Sequence, residues 1–120
     1  MNTVLVVEDN NTEKEIITSC LQVNGVSVLT AKNAEEAFEQ LKNHQFDAVI
    51  LDIVLPDRSG FEICRKIKAE AQTSKIPVVM CSTKSGEMDK FWGMKQGADA
   101  YLAKPIDQDE LVRTIKQFLA

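Results

Sequence analysis

Short, wholly apolar runs recur along the chain, and between them the apolar positions spread out to helical spacing. Val4-Leu5-Val6-Val7, Ala48-Val49-Ile50-Leu51 and Val78-Val79-Met80-Cys81 are continuous rather than alternating. Strands read this way when helices cover both faces of a parallel sheet. Val26-Ser27-Val28-Leu29 and Ala100-Tyr101-Leu102-Ala103 are weaker runs, suited to flanking positions. Helical stripes separate them: Ile16, Ile17, Cys20 and Leu21, then Ala34, Ala37, Phe38 and Leu41, then Phe61, Cys64 and Ile67. Leu111, Val112, Ile115, Phe118 and Leu119 form the last stripe. Met88 to Lys95 is helical by length, but Phe91, Trp92 and Met94 compete for burial. Trp92 reads first as a large side chain filling a groove beside the fifth strand. Asn33 and Asp107 stand where helix N-caps belong, and Gly25 and Gly97 where helices end.

Five βα units in succession predict an α/β fold, a doubly wound parallel sheet with helices on both faces and right-handed crossovers. No linker, low-complexity tract or repeat interrupts the 120 residues, so residues 1–120 read as one domain with no effector domain attached. In such sheets ligands bind beyond the carboxyl ends of the strands, where the strand order reverses.

Composition narrows the function by exclusion. A net charge of −4 argues against nucleic acid as a main partner, because phosphate backbones need a basic face. No apolar run approaches the roughly eighteen residues of a membrane span. The N-terminus enters a strand without a basic leader, so a cytoplasmic protein is expected. Cys20, Cys64 and Cys81 lie inside apolar patterns without metal-ligand spacing and read as buried, reduced thiols. His44 reads as a solvated loop residue.

The strand ends carry the candidate chemistry. The first strand runs into Glu8-Asp9, the third into Asp52, the fourth into Ser82-Thr83 and the fifth into Lys104-Pro105. All should converge on one rim. Clustered carboxylates repel one another unless a cation sits among them. Oxygen-only ligands with room for water suit Mg²⁺. A lysine and a hydroxyl suit the remaining oxygens of a transferring phosphoryl group. Each residue taken singly has a plain structural reading, as cap, turn or surface charge; the constellation is what points to phosphoryl chemistry.

The stretches VLVVEDN, VILDIVLPDRSG, VVMCSTK and DAYLAKP resemble a response-regulator receiver domain over the whole chain. The resemblance implies a flavodoxin-like, CheY-like sheet of order 2-1-3-4-5, an order that the handedness rules do not supply. It implies Asp52 as phosphoacceptor and Mg²⁺ held by Glu8, Asp9, Asp52 and the backbone carbonyl of Val54. It implies Lys104 as the cation on the phosphoryl oxygens, Ser82 as switch hydroxyl, Tyr101 as switch aromatic, and Thr83 beside the acceptor. The Lys104-Pro105 bond is expected cis by resemblance, although sequence alone favours trans. The implied partners are a CheA-like histidine kinase or phosphotransfer domain, and a downstream protein on the face of the fourth helix, fifth strand and fifth helix. The role implied is signalling by phosphorylation-dependent binding, not catalysis on a separate substrate. DKFWGMKQGADAYLAKP is similar to receivers of pilus twitching and phototaxis systems, the PilH and PixH group.

Three positions depart from the commoner receiver pattern: Glu8 for aspartate, Ser82 for threonine, and Thr83 for alanine, whose bulk is expected to narrow access to Asp52. No functional group is lost. A flavodoxin-type carrier would need a phosphate loop after the first strand, where Glu8-Asp9-Asn10-Asn11 would repel a flavin phosphate. A dehalogenase-type hydrolase would need a second acid two residues after the nucleophile, where Val54 stands. A receiver that binds without phosphorylation is disfavoured by the intact set of acids, hydroxyl and lysine.

Overall fold

The computed structural model describes residues 2–119. Strands and helices alternate as β1 (Thr3–Val7), α1 (Asn11–Val23), β2 (Ser27–Ala31), α2 (Ala34–Asn43), β3 (Ala48–Leu51), α3 (Gly60–Ala69), β4 (Val78–Ser82), α4 (Glu87–Lys95), β5 (Ala100–Ala103) and α5 (Gln108–Phe118). All strand pairings are parallel, in the order β2-β1-β3-β4-β5. The weaker apolar runs are the edge strands, and β2 begins one residue later than its sequence run suggests. An edge strand has one hydrogen-bonded neighbour and is less enclosed, so its composition can be mixed.

The pleat sorts the central strands between two cores. Leu5, Val7, Val49, Leu51 and Met80 face α2 and α3, joined by Ala34, Ile63 and Ile67. Val4, Val6, Ile50, Val79 and Cys81 face α1 and α5, joined by Ile17, Leu21, Leu111 and Ile115. Burying each Leu or Ile contributes roughly 1.5–3 kcal/mol. The continuous runs are apolar because both faces are dry.

Helix starts follow the expected caps, with Asn33 Oδ1 accepting from Glu36 N at 2.8 Å and Asp107 Oδ1 from Glu110 N at 3.1 Å. Asn10 and Ser59 cap α1 and α3 in the same way. Gly25 and Gly97 have φ of 81° and 104°, the left-handed conformation in which a side chain is strained. The Lys104-Pro105 bond is cis. Cys20, Cys64 and Cys81 are free and buried. Among the described residues no helix is long and apolar enough to cross a membrane.

Two expectations fail in detail. Ile16, placed in the first helical stripe, is exposed. Trp92 does not fill the groove beside β5; it is 51% exposed, and the buried residue of α4 is Gly93. A Cβ at Gly93 would lie 2.8 Å from Met80 Sδ and 3.0 Å from the Tyr101 ring. The helix therefore approaches the sheet through its smallest residue, and the bulky neighbours turn outward.

Candidate phosphoacceptor site

Register brings the candidate residues together. Val7 pairs with Leu51, so Glu8 and Asp52 leave the sheet side by side. Glu8 N donates to Ala31 O at 2.9 Å and Asp52 N to Val7 O at 3.0 Å, continuing the ladder through both acids. Ser82 pairs with Ala103, and Lys104 N donates to Ser82 O at 3.1 Å. The side chains of Glu8, Asp52 and Lys104 are thus delivered to one rim by backbone hydrogen bonds.

Lys104 Nζ lies among three carboxylates. It donates to Glu8 Oε1 in a short contact, to Glu13 Oε2 at 2.5 Å and to Asp52 Oδ2 at 3.1 Å. Ligand oxygens of Glu8, Glu13 and Asp52 all lie within 4.8 Å of one another. Burial works to lower the Lys104 pKa, but the bonds from Glu13 and Glu8 and the charge of Asp52 overcome it and hold the ammonium above its ordinary value. Burial pushes the Glu8 carboxyl up, opposed by its bond to Lys104 and by the Asn10 N–H at 3.1 Å. The all-oxygen, hard donor set is one that a divalent cation such as Mg²⁺ takes. The carboxylates also outnumber the ammonium, leaving net negative charge for such an ion to offset.

Asp9 is exposed and outside this cluster. Glu13, which sequence reasoning passed over, is inside it. Glu13 is the third residue of α1, spaced from the Asn10 cap like the glutamate of a capping box. In that motif the glutamate would fold back on the cap's N–H. Here Glu8 takes the Asn10 N–H, and Glu13 reaches Lys104 instead. The sequence signal thus marks a helix start and says nothing of a site.

The loop after β3 is held by contacts that the motif does not announce. Val54 is exposed, and its N–H donates to Asp52 Oδ1 at 3.3 Å. Gly60 N donates to Ile53 O at 2.8 Å, and a Cβ there would fall 2.2 Å from the Asp52 carbonyl oxygen. Any side chain at this position would displace the Asp52 backbone. Asp57 accepts from Ala34 N at 2.9 Å and Glu35 N at 3.1 Å, tying the loop to the start of α2. The Ala34 bond foremost, with that of Glu35, keeps its carboxyl below the usual range.

On the other side of the rim, Ser82 is fully buried and its Oγ accepts from Lys84 N at 3.2 Å. The Tyr101 hydroxyl donates to the Lys84 carbonyl in a short contact. Burial, then the charges of Asp89 and Asp52, pushes the Tyr101 phenol up to about 12. The two residues expected to form a switch therefore grip opposite ends of one residue. Thr83 is exposed beside them. Cys81, beneath the rim, is pushed up to about 12 by burial, so it stays a thiol. A cleft of about 670 Å³ lined by His44, Phe46, Thr73 and Ile76 opens at the far end of the sheet, remote from these groups.

Comparison with known proteins identifies the family of the fold. Residues 4–116 match the response regulator receiver domain family. The chain is 40% identical to protein PilH of Pseudomonas aeruginosa over 120 residues, covering all of this chain and 99% of PilH. It spans about half the length of other curated relatives that it matches. Chemotaxis protein CheY4 of Vibrio cholerae superposes with a TM-score of 0.92 at 29% identity, covering 99% of each chain. The receiver domain of the sensor histidine kinase PA1611 of Pseudomonas aeruginosa has a magnesium ion coordinated in its active-site cleft. It superposes with a TM-score of 0.89 at 26% identity, over 98% of this chain and 96% of that one. With its register, its rim of acids and its lysine, this chain belongs to the response regulator receiver domain family.

Proposed function

We propose that this receiver accepts a phosphoryl group on Asp52 from a phosphohistidine of a histidine kinase or phosphotransfer domain, and signals through phosphorylation-dependent protein binding. The observation that carries this reading is the Asp52 carboxylate, at the end of a central strand, bonded to Lys104 at 3.1 Å beside two further acids. An Asp52 oxygen attacks phosphorus, the P–N bond breaks with its electron pair going to the imidazole, and an acyl phosphate forms. Lys104 offsets charge on the phosphoryl oxygens while the reacting atoms stay in line. Glu8, Asp52 and the Val54 carbonyl would hold Mg²⁺, with Asp9 turned in from its exposed position and Glu13 left to Lys104, and the ion would neutralise part of the same charge.

The output follows from Lys84. Its N–H is held by Ser82 Oγ and its carbonyl by the Tyr101 hydroxyl. The Ser82 O–H can donate to a phosphoryl oxygen, and any shift of Ser82 is transmitted through Lys84 to Tyr101. Beyond Tyr101 lies the face of α4, β5 and α5, where the downstream protein would dock. The similarity to PilH supports a role in pilus motility, and the net charge of −4 supports a protein partner rather than nucleic acid.

Intact mass after incubation with a small acyl phosphate and Mg²⁺ tests the acceptor. The wild type should gain one phosphoryl group and Asp52→Asn none. A full adduct on the variant would place the acceptor elsewhere.

A further inference from the structure

We propose that Glu13 is a positioning residue of the acceptor site, holding Lys104 while Asp52 is unmodified and surrendering it when the phosphoryl group arrives. This rests on the reading of Asp52 as acceptor. A lysine ammonium has three N–H donors, and here each has a carboxylate: Glu8, Glu13 and Asp52. No donor is spare. A phosphoryl oxygen brought onto Asp52 must therefore take an N–H that is already committed, and it arrives with about −1.5 to −2 units of charge.

The three partners differ in how cheaply they can let go. Asp52 yields its own N–H as it becomes an acyl phosphate, but the phosphoryl group brings more than one anionic oxygen and draws on a second N–H. The Glu8 side chain is 3% exposed, so a carboxylate released there would stay charged in a poorly hydrated place. The Glu13 side chain is 34% exposed and can turn its carboxylate into water. Its backbone need not move, because Asn10 Oδ1 fixes Glu13 N at 3.0 Å in the first turn of α1. Glu13 is thus a hinged anion on a fixed base. It keeps the lysine over the acceptor at rest, and it competes with the phosphoryl oxygens both for that lysine and by charge repulsion. It acts as a brake on occupancy of the site.

The test uses Glu13→Gln, which keeps the length of the side chain and removes the charge. At saturating Mg²⁺, beryllofluoride, a phosphoryl mimic, is titrated into both proteins and followed by the amide signals of Asp52 to Val54. The variant should bind about tenfold tighter, the scale of one charge removed a few ångströms from an anion at a partly hydrated site. In the absence of ligand, exchange of the Lys104 Nζ protons with water should be faster in the variant, a readout that mere loss of helix stability would not single out. Affinity no higher than wild type, with unchanged Lys104 exchange, overturns the role of Glu13. So does a variant whose main defect is weaker Mg²⁺ binding, since Glu13 would then be a metal ligand. A wild type that binds no beryllofluoride overturns the acceptor reading itself and the proposal that rests on it.

Discussion

Two lysines anchor opposite ends of the sheet, and they are satisfied in different ways. Lys68, on α3, donates to the Ile76 carbonyl at 2.8 Å and to Asp99 Oδ2 at 2.9 Å. Asp99 in turn accepts from Val78 N at 2.8 Å, so the pair clasps α3 to the starts of β4 and β5. Gly97 lies against the Lys68 stem, where a Cβ would fall 2.8 Å from Cγ. One cation meets one carboxylate, each partner also holds one backbone group, and the charges cancel. Lys104, at the other end, meets three carboxylates and leaves negative charge uncancelled. The balanced pair is a latch. The unbalanced one is poised for something that is not part of the fold, and its surplus charge is the sign of function.

The largest expected effect comes from removing the cation at the unbalanced end. Lys104→Ala should cost about 3 kcal/mol in metal-free buffer, because buried Glu8 and Asp52 lose their counter-charge. Urea denaturation with and without Mg²⁺ checks this; much of the loss should return with the ion, and an ion-independent loss would make Lys104 a second latch. Lys68→Ala should cost less, about 1–2 kcal/mol for a partly exposed pair and a backbone hydrogen bond. Its denaturation midpoint should be indifferent to Mg²⁺.

Asp52→Asn reverses the sign. Relieving the surplus charge should raise stability by about 1 kcal/mol without metal, as active-site substitutions often do. It should also blunt the rise in melting temperature with Mg²⁺. A destabilised Asp52→Asn would mean that the acids hold the rim together rather than strain it.

The smallest effect concerns Asp57, a carboxylate answered by backbone N–H groups and, among the described residues, by no ion pair. Its pKa is lowered by folding, so its contribution is present above the unfolded value and lost as pH falls through the folded one. Between about pH 5 and pH 3 the urea midpoint of wild type should fall more steeply than that of Asp57→Asn. Parallel curves would show that the tie to α2 is not made in solution.

Much of the architecture was legible because periodicity reports burial directly. Val4 to Val7 and Ala48 to Leu51 had to be covered on both sides, and their alternation with helical stripes in five βα units made that cover two helix layers on a parallel sheet. The order β2-β1-β3-β4-β5 came from the family resemblance, since many orders satisfy the same pattern. The face that each residue presents on α4 was not legible. The pattern of Phe91, Trp92 and Met94 offers three large candidates for burial, and the close approach of Tyr101 and Met80 admits only Gly93.

For the site, sequence by itself determined which groups end the strands. A parallel sheet aligns strand ends, so Glu8, Asp52, Ser82 and Lys104 converge whatever the details of the loops. Tertiary structure decided everything that depends on how a helix is rotated or a loop is tied. Glu13 sits in a polar run, Asn11-Thr12-Glu13-Lys14-Glu15, where several acids look equally solvated. Only the rotation of α1 over the rim, and the diversion of the Asn10 N–H to Glu8, turns that one carboxylate toward Lys104. Side-chain direction on a helix follows from its packing against the sheet, and that packing is set by Ile17, Cys20 and Leu21, which lie further along the same side of α1 as Glu13.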